Sequence, residues 1–204
     1  MSSSLNFMTT NWNKYYKEDA KYLKLNQVLF ELITYEVLQN LQKNRFTNAL
    51  DLGCGRGELV TQVSRISDFV LGVDGSEIAL EYAQSQNIAN AKFTQINLDN
   101  INHFSQRYSN HFDVIFCKLT FPFVENKSVF LEYCKKMLVH HGALVIINPV
   151  QEKGVMYNGK QANISFSHDK MMKMLNVTYG NAICFNKSYY PKNDTIIGCY
   201  IAFK

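Results

Sequence analysis

The chain has no apolar run long enough to cross a bilayer; stretches such as "ALVII" (143–147) are strand-length. It has no cysteine framework. The five cysteines, Cys54, Cys117, Cys134, Cys184 and Cys199, are odd in number, and no two stand at metal-ligand spacing. Neither a zinc site nor a disulfide scaffold is signalled, and the expectation is reduced, mostly buried thiols in a cytoplasmic protein. The N-terminal "MSSSLNFMTTNWNKYYK" lacks the apolar core and small-residue cleavage site of a signal peptide. Charge of one sign is also scarce. A net charge of +4 falls short of a nucleic-acid footprint. The densest basic cluster, Lys14, Lys17, Lys21 and Lys24, is broken by Glu18 and Asp19 and reads as a solvated helix face. Repeats, low-complexity tracts and linkers are missing, so 204 residues predict one domain, large enough to bury a core.

What is present is alternation. Residues 11–22 and 25–43 read as helices, the second with an apolar stripe of Leu25, Val28, Leu29, Leu32, Ile33 and Leu41. From residue 47, short apolar runs at 48–52, 69–74, 91–96, 112–117 and 142–148 alternate with helical patterns near 58–66, 76–86 and 127–138. Continuous apolar strands between helices argue for a parallel sheet covered on both faces. A helix near 168–176 then precedes "AICFNKSYY" and "TIIGCYIAF". "PKND" (191–194) between them is turn chemistry, so an antiparallel hairpin ends the sheet. The fold class is α/β: a doubly wound, mostly parallel seven-stranded sheet with an antiparallel C-terminal hairpin and an N-terminal helical cap. The segments divide as cap (1–45), ligand-binding core (46–150) and substrate side with hairpin (151–204).

The most informative stretch is "TNALDLGCGRGELV" (47–60), with Gly53, Gly55 and Gly57 between a strand and a helix. Such a loop presents backbone N–H groups and a helix N-terminus to a ligand. The dinucleotide fingerprint fails, because its third glycine would fall on Glu58, and a P-loop is excluded by the missing G-K-[ST]. Asp51 would repel a pyrophosphate but complements a cationic ligand head.

The run D-L-G-C-G-R-G resembles motif I of the class I S-adenosylmethionine-dependent methyltransferases. "GVDGS" (72–76), "FTQINLDN" (93–100), "FDVIFCKLTFPFV" (112–124) and "HHGALVIIN" (140–148) follow in that family's order. The resemblance implies a Rossmann-like methyltransferase fold and S-adenosyl-L-methionine as cofactor, with S-adenosyl-L-homocysteine as product. It implies that Asp51, Gly53, Cys54, Gly55 and Gly57 line the cofactor, Cys54 through its backbone. Asp74, followed by Gly75, would take the ribose hydroxyls; a carboxylate suits two hydroxyl donors. Asn97 falls where the family has an acid for the adenine amine, with Leu98 offering an N–H and Asp99 an alternative. Cys117 edges the site. An N-terminal tyrosine would reach the cofactor's carboxylate: Tyr16, with Tyr15 and Tyr22 also in place.

The acceptor should lie beyond the strand ends, near Cys117, Lys118, Leu119, Thr120 and Phe121. "KLTFPF" lacks the [DN]-P-P-[YF] of base-amino methyltransferases and the acids of aminopropyl transferases. The segment 151–167, with Gly154 and Gly159, is a candidate lid. His103, His111, His140, His141 and His168 can all act as bases. His140 and His141 are expected before the fifth strand, away from the pocket, which leaves His168 as the candidate base. No catalytic residue or metal site is assigned. The reading is a methyltransferase acting on a small-molecule acceptor, with no membrane partner and nucleic acid not favoured. The alternatives are an RNA or protein acceptor, or a silent cofactor-binding interaction module.

Overall fold

The computed structural model describes residues 12–14, 16–17, 27–151, 166–190 and 195–204. Tyr15, Tyr22, most of the lid segment and the 191–194 turn lie outside these. The elements are α1 (Gln27–Leu41), β1 (Phe46–Leu52), α2 (Glu58–Ser64), β2 (Ser67–Asp74), α3 (Glu77–Ser85), β3 (Ala91–Gln95), α4 (Asn102–Arg107), β4 (Phe112–Lys118), α5 (Lys127–Met137), β5 (Leu138–Gln151), β6 (Phe166–Ser167), α6 (His168–Tyr179), β7 (Ala182–Tyr190) and β8 (Thr195–Phe203). Short 3-10 turns occupy Leu98–Asn100 and Phe121–Phe123.

The strands form one sheet in the order β3-β2-β1-β4-β5-β8-β7, with β6 beside the far end of β5. Strands β1 to β5 run parallel, while β8 pairs antiparallel with both β5 and β7. Because side chains alternate along a strand, each apolar run feeds two cores. Leu50, Leu52, Ile115, Cys117, Leu144 and Ile146 face one side with α5 and α6 residues such as Phe130, Leu131, Met171 and Leu175. Ala49, Val114, Phe116, Ala143, Val145 and Ile147 face the other with Ile33, Val60, Val63 and Leu80 of α1, α2 and α3. The order reverses between β1 and β4, and open α/β sheets bind ligands at the C-terminal strand ends beside such a switch point.

Three details differ from the sequence expectations. The buried stripe of α1 is Phe30, Ile33, Thr34, Val37 and Leu38, whereas Val28 and Leu32 are 63% and 52% exposed. Apolar residues occur on both sides of this helix, and packing against the sheet selects the side that carries Phe30. Helix α5 stops at Met137, and β5 begins at Leu138. His140 and His141 therefore lie inside β5, not ahead of it. They occupy a register shift opposite β4 between the pairs Phe112↔Leu138 and Val114↔Ala143, where His141 takes φ 63°. Finally, β6 adds a two-residue parallel strand that no sequence pattern announced.

The opposite end of the sheet carries a structural ion pair. Asp113 is buried, accepts from Lys43 Nζ at 2.8 Å and also accepts from the Thr47 backbone N–H.

Candidate cofactor and acceptor site

The loop between β1 and α2 is locked against the end of β2: the Gly53 and Cys54 N–H groups donate to the Val73 carbonyl at 2.8 and 3.0 Å. Gly53, Gly55 and Gly57 all have positive φ, at 77°, 53° and 81°. At Gly53 and Gly55 the need for glycine is steric as well. A Cβ on Gly53 would stand 2.0 Å from Thr120 Oγ1, and one on Gly55 would stand 2.7 Å from Tyr16 Oη. The missing side chains thus let Thr120 and Tyr16 pack directly on the loop backbone.

Two carboxylates face this loop from adjacent strands. Asp74, at the end of β2, accepts from the Gly55 N–H through Oδ2 at 2.9 Å and from the Ser76 N–H through Oδ1 at 2.8 Å. Burial raises the Asp74 pKa, and backbone N–H groups of Ser76, Gly55 and Gly75 oppose the rise. Asp51 lies deeper. Its Oδ1 is buried and has no hydrogen-bond partner among the described residues. Burial lifts its pKa from the ordinary 3.8 to about 7; Lys118 opposes this and Asp74 adds to it. Lys118 is held below its ordinary pKa by burial, against the pull of Asp51 and Glu58.

The remaining predicted residues divide. Cys54 is buried in the loop, its thiol pushed well up by burial and then by Asp51 and Asp74. Gly75 links Asp74 to Ser76, and its carbonyl accepts from Gln95 Nε2 at 3.0 Å. Asn97 Oδ1 accepts from the Asp99 N–H at 3.0 Å, capping the 3-10 turn that contains the half-buried Leu98. Asp99 Oδ1 in turn accepts from the Glu125 N–H at 2.9 Å. The Cys117 side chain packs in the α5 core with its thiol pushed up by burial, so its backbone is what reaches the strand end. His140 and His141 lie near the N-terminal end of β5, where the His141 N–H donates to the Lys204 carbonyl at 3.1 Å. His168 starts α6, with its Nδ1 3.0 Å from Tyr200 Oη.

The N-terminal segment covers the loop. Tyr16 is buried over Gly55, Arg56 Nη2 donates to the Tyr16 carbonyl, and Ser76 Oγ donates to Asn13 Oδ1 at 2.6 Å. Trp12 meets Phe123 edge-on, with centroids 4.8 Å apart. Sequence reasoning missed Arg56, Thr120 against Gly53, and Trp12. Arg56 sits between two of the loop glycines, and that position was the one clue available.

A model of a methyltransferase domain matches residues 43–189. The chain belongs to the S-adenosylmethionine-dependent methyltransferase family. Among curated relatives of this methyltransferase domain is a ubiquinone biosynthesis O-methyltransferase of Acinetobacter baumannii, strain AYE. It is 28% identical over 112 residues, covering 53% of this chain and 46% of that protein. The chain spans about half the length of the curated relatives it matches first. Solved structures share the fold. A SAM-dependent methyltransferase from Aquifex aeolicus aligns with TM-score 0.63 and 19% identity, over 85% of this chain and 88% of that one. The [4+2]-cyclase SpnF aligns with TM-score 0.68 and 11% identity, over 98% and 94%. The fold thus also carries a protein described as a cyclase, so function has to be argued from the site. No helix among the described residues is long and apolar enough to cross a membrane.

Proposed function

We propose that this protein transfers a methyl group from S-adenosyl-L-methionine to an oxygen of a small-molecule acceptor. The observation that carries the cofactor assignment is Asp51. A buried carboxylate oxygen without a protein partner, beside a loop of three positive-φ glycines, fits a ligand that brings its own cation. Asp51 would hold the amino group and Asp74 the ribose hydroxyls. The Gly53–Gly57 backbone would lie against the ligand, Asn97 and Leu98 would face the base, and Tyr16 would close over the loop. When bound, the sulfonium supplies an already activated methyl.

The chain's own contribution is then alignment and exclusion of water. Orientation of this kind accounts for roughly 7–11 kcal/mol in well-positioned reactions. Trp12, Tyr16 and Phe123 form an aromatic cover, and Leu119 to Phe121 edge the acceptor side. Leu119 adopts φ 59°, a conformation costly for a non-glycine residue, held by donation from its N–H to the Ile147 carbonyl at 2.8 Å. The choice of a small hydroxylated acceptor is supported by the names of the O-methyltransferase relatives and by the residues after β4, which lack the grip for a base amine.

The test is calorimetric titration with S-adenosylmethionine and S-adenosylhomocysteine, with NAD as control. Saturable binding of the first two is expected, with at least a tenfold loss in Asp74→Ala. A folded wild-type protein that binds neither would overturn the reading in favour of an interaction module.

A further inference from the structure

At the same end of the sheet, two strands over from Asp51, a second polar cluster has no role in holding the cofactor. Asn148 of β5 is fully buried, and neither its Nδ2 nor its Oδ1 has a hydrogen-bond partner among the described residues. Its place in the register puts it one residue beyond Ile147, which pairs with Lys118 at the end of β4. Across the antiparallel ladder, Asn148 stands opposite Gly198, and Ile146 stands opposite Tyr200. Gly198 makes room for the tyrosine: a Cβ there would lie 2.8 Å from Tyr200 Cε2 and 2.9 Å from Tyr200 Oη. The ring therefore lies back along β8, bringing its hydroxyl to the level of Asn148. That hydroxyl is hydrogen-bonded to His168 Nδ1 at 3.0 Å.

The groups that converge here are an amide, a phenol and an imidazole, none with a fixed charge. Aromatic side chains frame the same strand end. Phe166 belongs to β6 and pairs with Val150, and its ring meets Phe121 edge-on at 5.8 Å between centroids. Lys127 lies 5.8 Å from both ring centroids, but its ammonium donates to the Pro122 and Val124 carbonyls. Asn148 lies two strands from the cofactor loop at β1, with neighbouring strands about 4.8 Å apart.

An amide that offers N–H and C=O side by side, both unmet, is complementary to the same pair reversed. We propose that Asn148, backed by Tyr200 and His168, is the specificity residue of the acceptor site, and that it takes a planar, uncharged acceptor carrying a hydrogen-bond donor and a carbonyl on one edge. This rests on the methyltransferase reading above. A carboxylate or phosphate would find no fixed positive charge among the amide, phenol and imidazole, and an acceptor without the donor would leave Oδ1 unmet.

The test uses the protein saturated with S-adenosylhomocysteine and follows binding by NMR chemical shifts. The probes are 2-quinolone, its N-methyl derivative and quinoline-2-carboxylate. Wild type should bind 2-quinolone at least tenfold more tightly than the other two. Asn148→Leu should lose at least tenfold for 2-quinolone and discriminate no longer, while its S-adenosylhomocysteine affinity and melting temperature are not reduced. Asn148→Ser, smaller and still polar, is the second variant, expected to lose severalfold. Equal binding by wild type and both variants, as when an internal water alone satisfies the amide, would overturn the proposal. So would preference for the carboxylate, or no binding of any probe by the cofactor-product complex. Failure to bind S-adenosylhomocysteine in the first place would instead remove the methyltransferase reading, and this proposal with it.

Discussion

Asp51 shows how one residue can be both a cost and a tool. Its carboxyl is enclosed, and burial lifts its pKa from 3.8 to about 7. Between pH 3.8 and about 7, the folded state therefore holds a proton that the unfolded chain has released. This group's contribution to stability is full below pH 3.8, falls as pH rises towards 7, and is constant above that. Binding of an ammonium-bearing ligand runs the other way, because it requires the ionised form. The affinity for S-adenosylhomocysteine should weaken about tenfold for each pH unit below 7 and level off above it. Calorimetry between pH 5.5 and 8 checks this, and Asp51→Asn should flatten the profile. Asp51 and the glycines were legible in the sequence because the motif is local: five consecutive residues set the loop's shape. The contacts that make the loop a closed site were not. Tyr16 over Gly55, Thr120 against Gly53 and Tyr200 against Gly198 join residues far apart in the chain, and only the topology brings them together.

At the scale of elements, helix α1 carries the clearest lesson. Its sequence has apolar residues around much of its circumference, and counting them chose a stripe that includes Val28 and Leu32. The sheet chose Phe30, Ile33, Val37 and Leu38, which pack with Val60 and Phe116 in the second core. Ile33→Ala should therefore cost about 2–5 kcal/mol, whereas Leu32→Lys should stay within about 0.5 kcal/mol. Urea denaturation of the two variants separates the assignments. The strands were more legible, since β1, β2, β4 and β5 are covered on both faces and read as continuous apolar runs. The start of β5 was not, because the polar His140–His141 pair sits in a bulge that looks like a loop. Pro149 is tolerated within β5 because pairing with β4 has already ended at Ile147.

For the whole molecule, the sheet's order decides which part is dispensable. Strand β8 lies between β5 and β7, and its inner residues Tyr200, Ile201 and Ala202 are fully buried. Deleting residues 195–204 would expose the edge of β5 and leave β7 with no strand to pair with. Such a variant should show no cooperative unfolding transition and should bind a hydrophobic dye, as circular dichroism melts and fluorescence would report. The expected sheet was recovered from sequence because each apolar strand also had to find a helix. The layering of Asn148, Tyr200 and His168 was invisible because it depends on which strand is inserted where.

The insertion of β8 also dictates timing. Ala143 pairs with Phe203, so the best-buried seam of the sheet is closed by residues some sixty positions apart. During synthesis, β1 to β5 can assemble as they leave the ribosome, but β7 emerges before the strand that must separate it from β5. Until residues 195–203 follow, β5 presents an open, apolar edge with which β7, or another nascent chain, can mispair. Slow passage through this interval is where the protein is most exposed to aggregation, and chaperone demand should peak there.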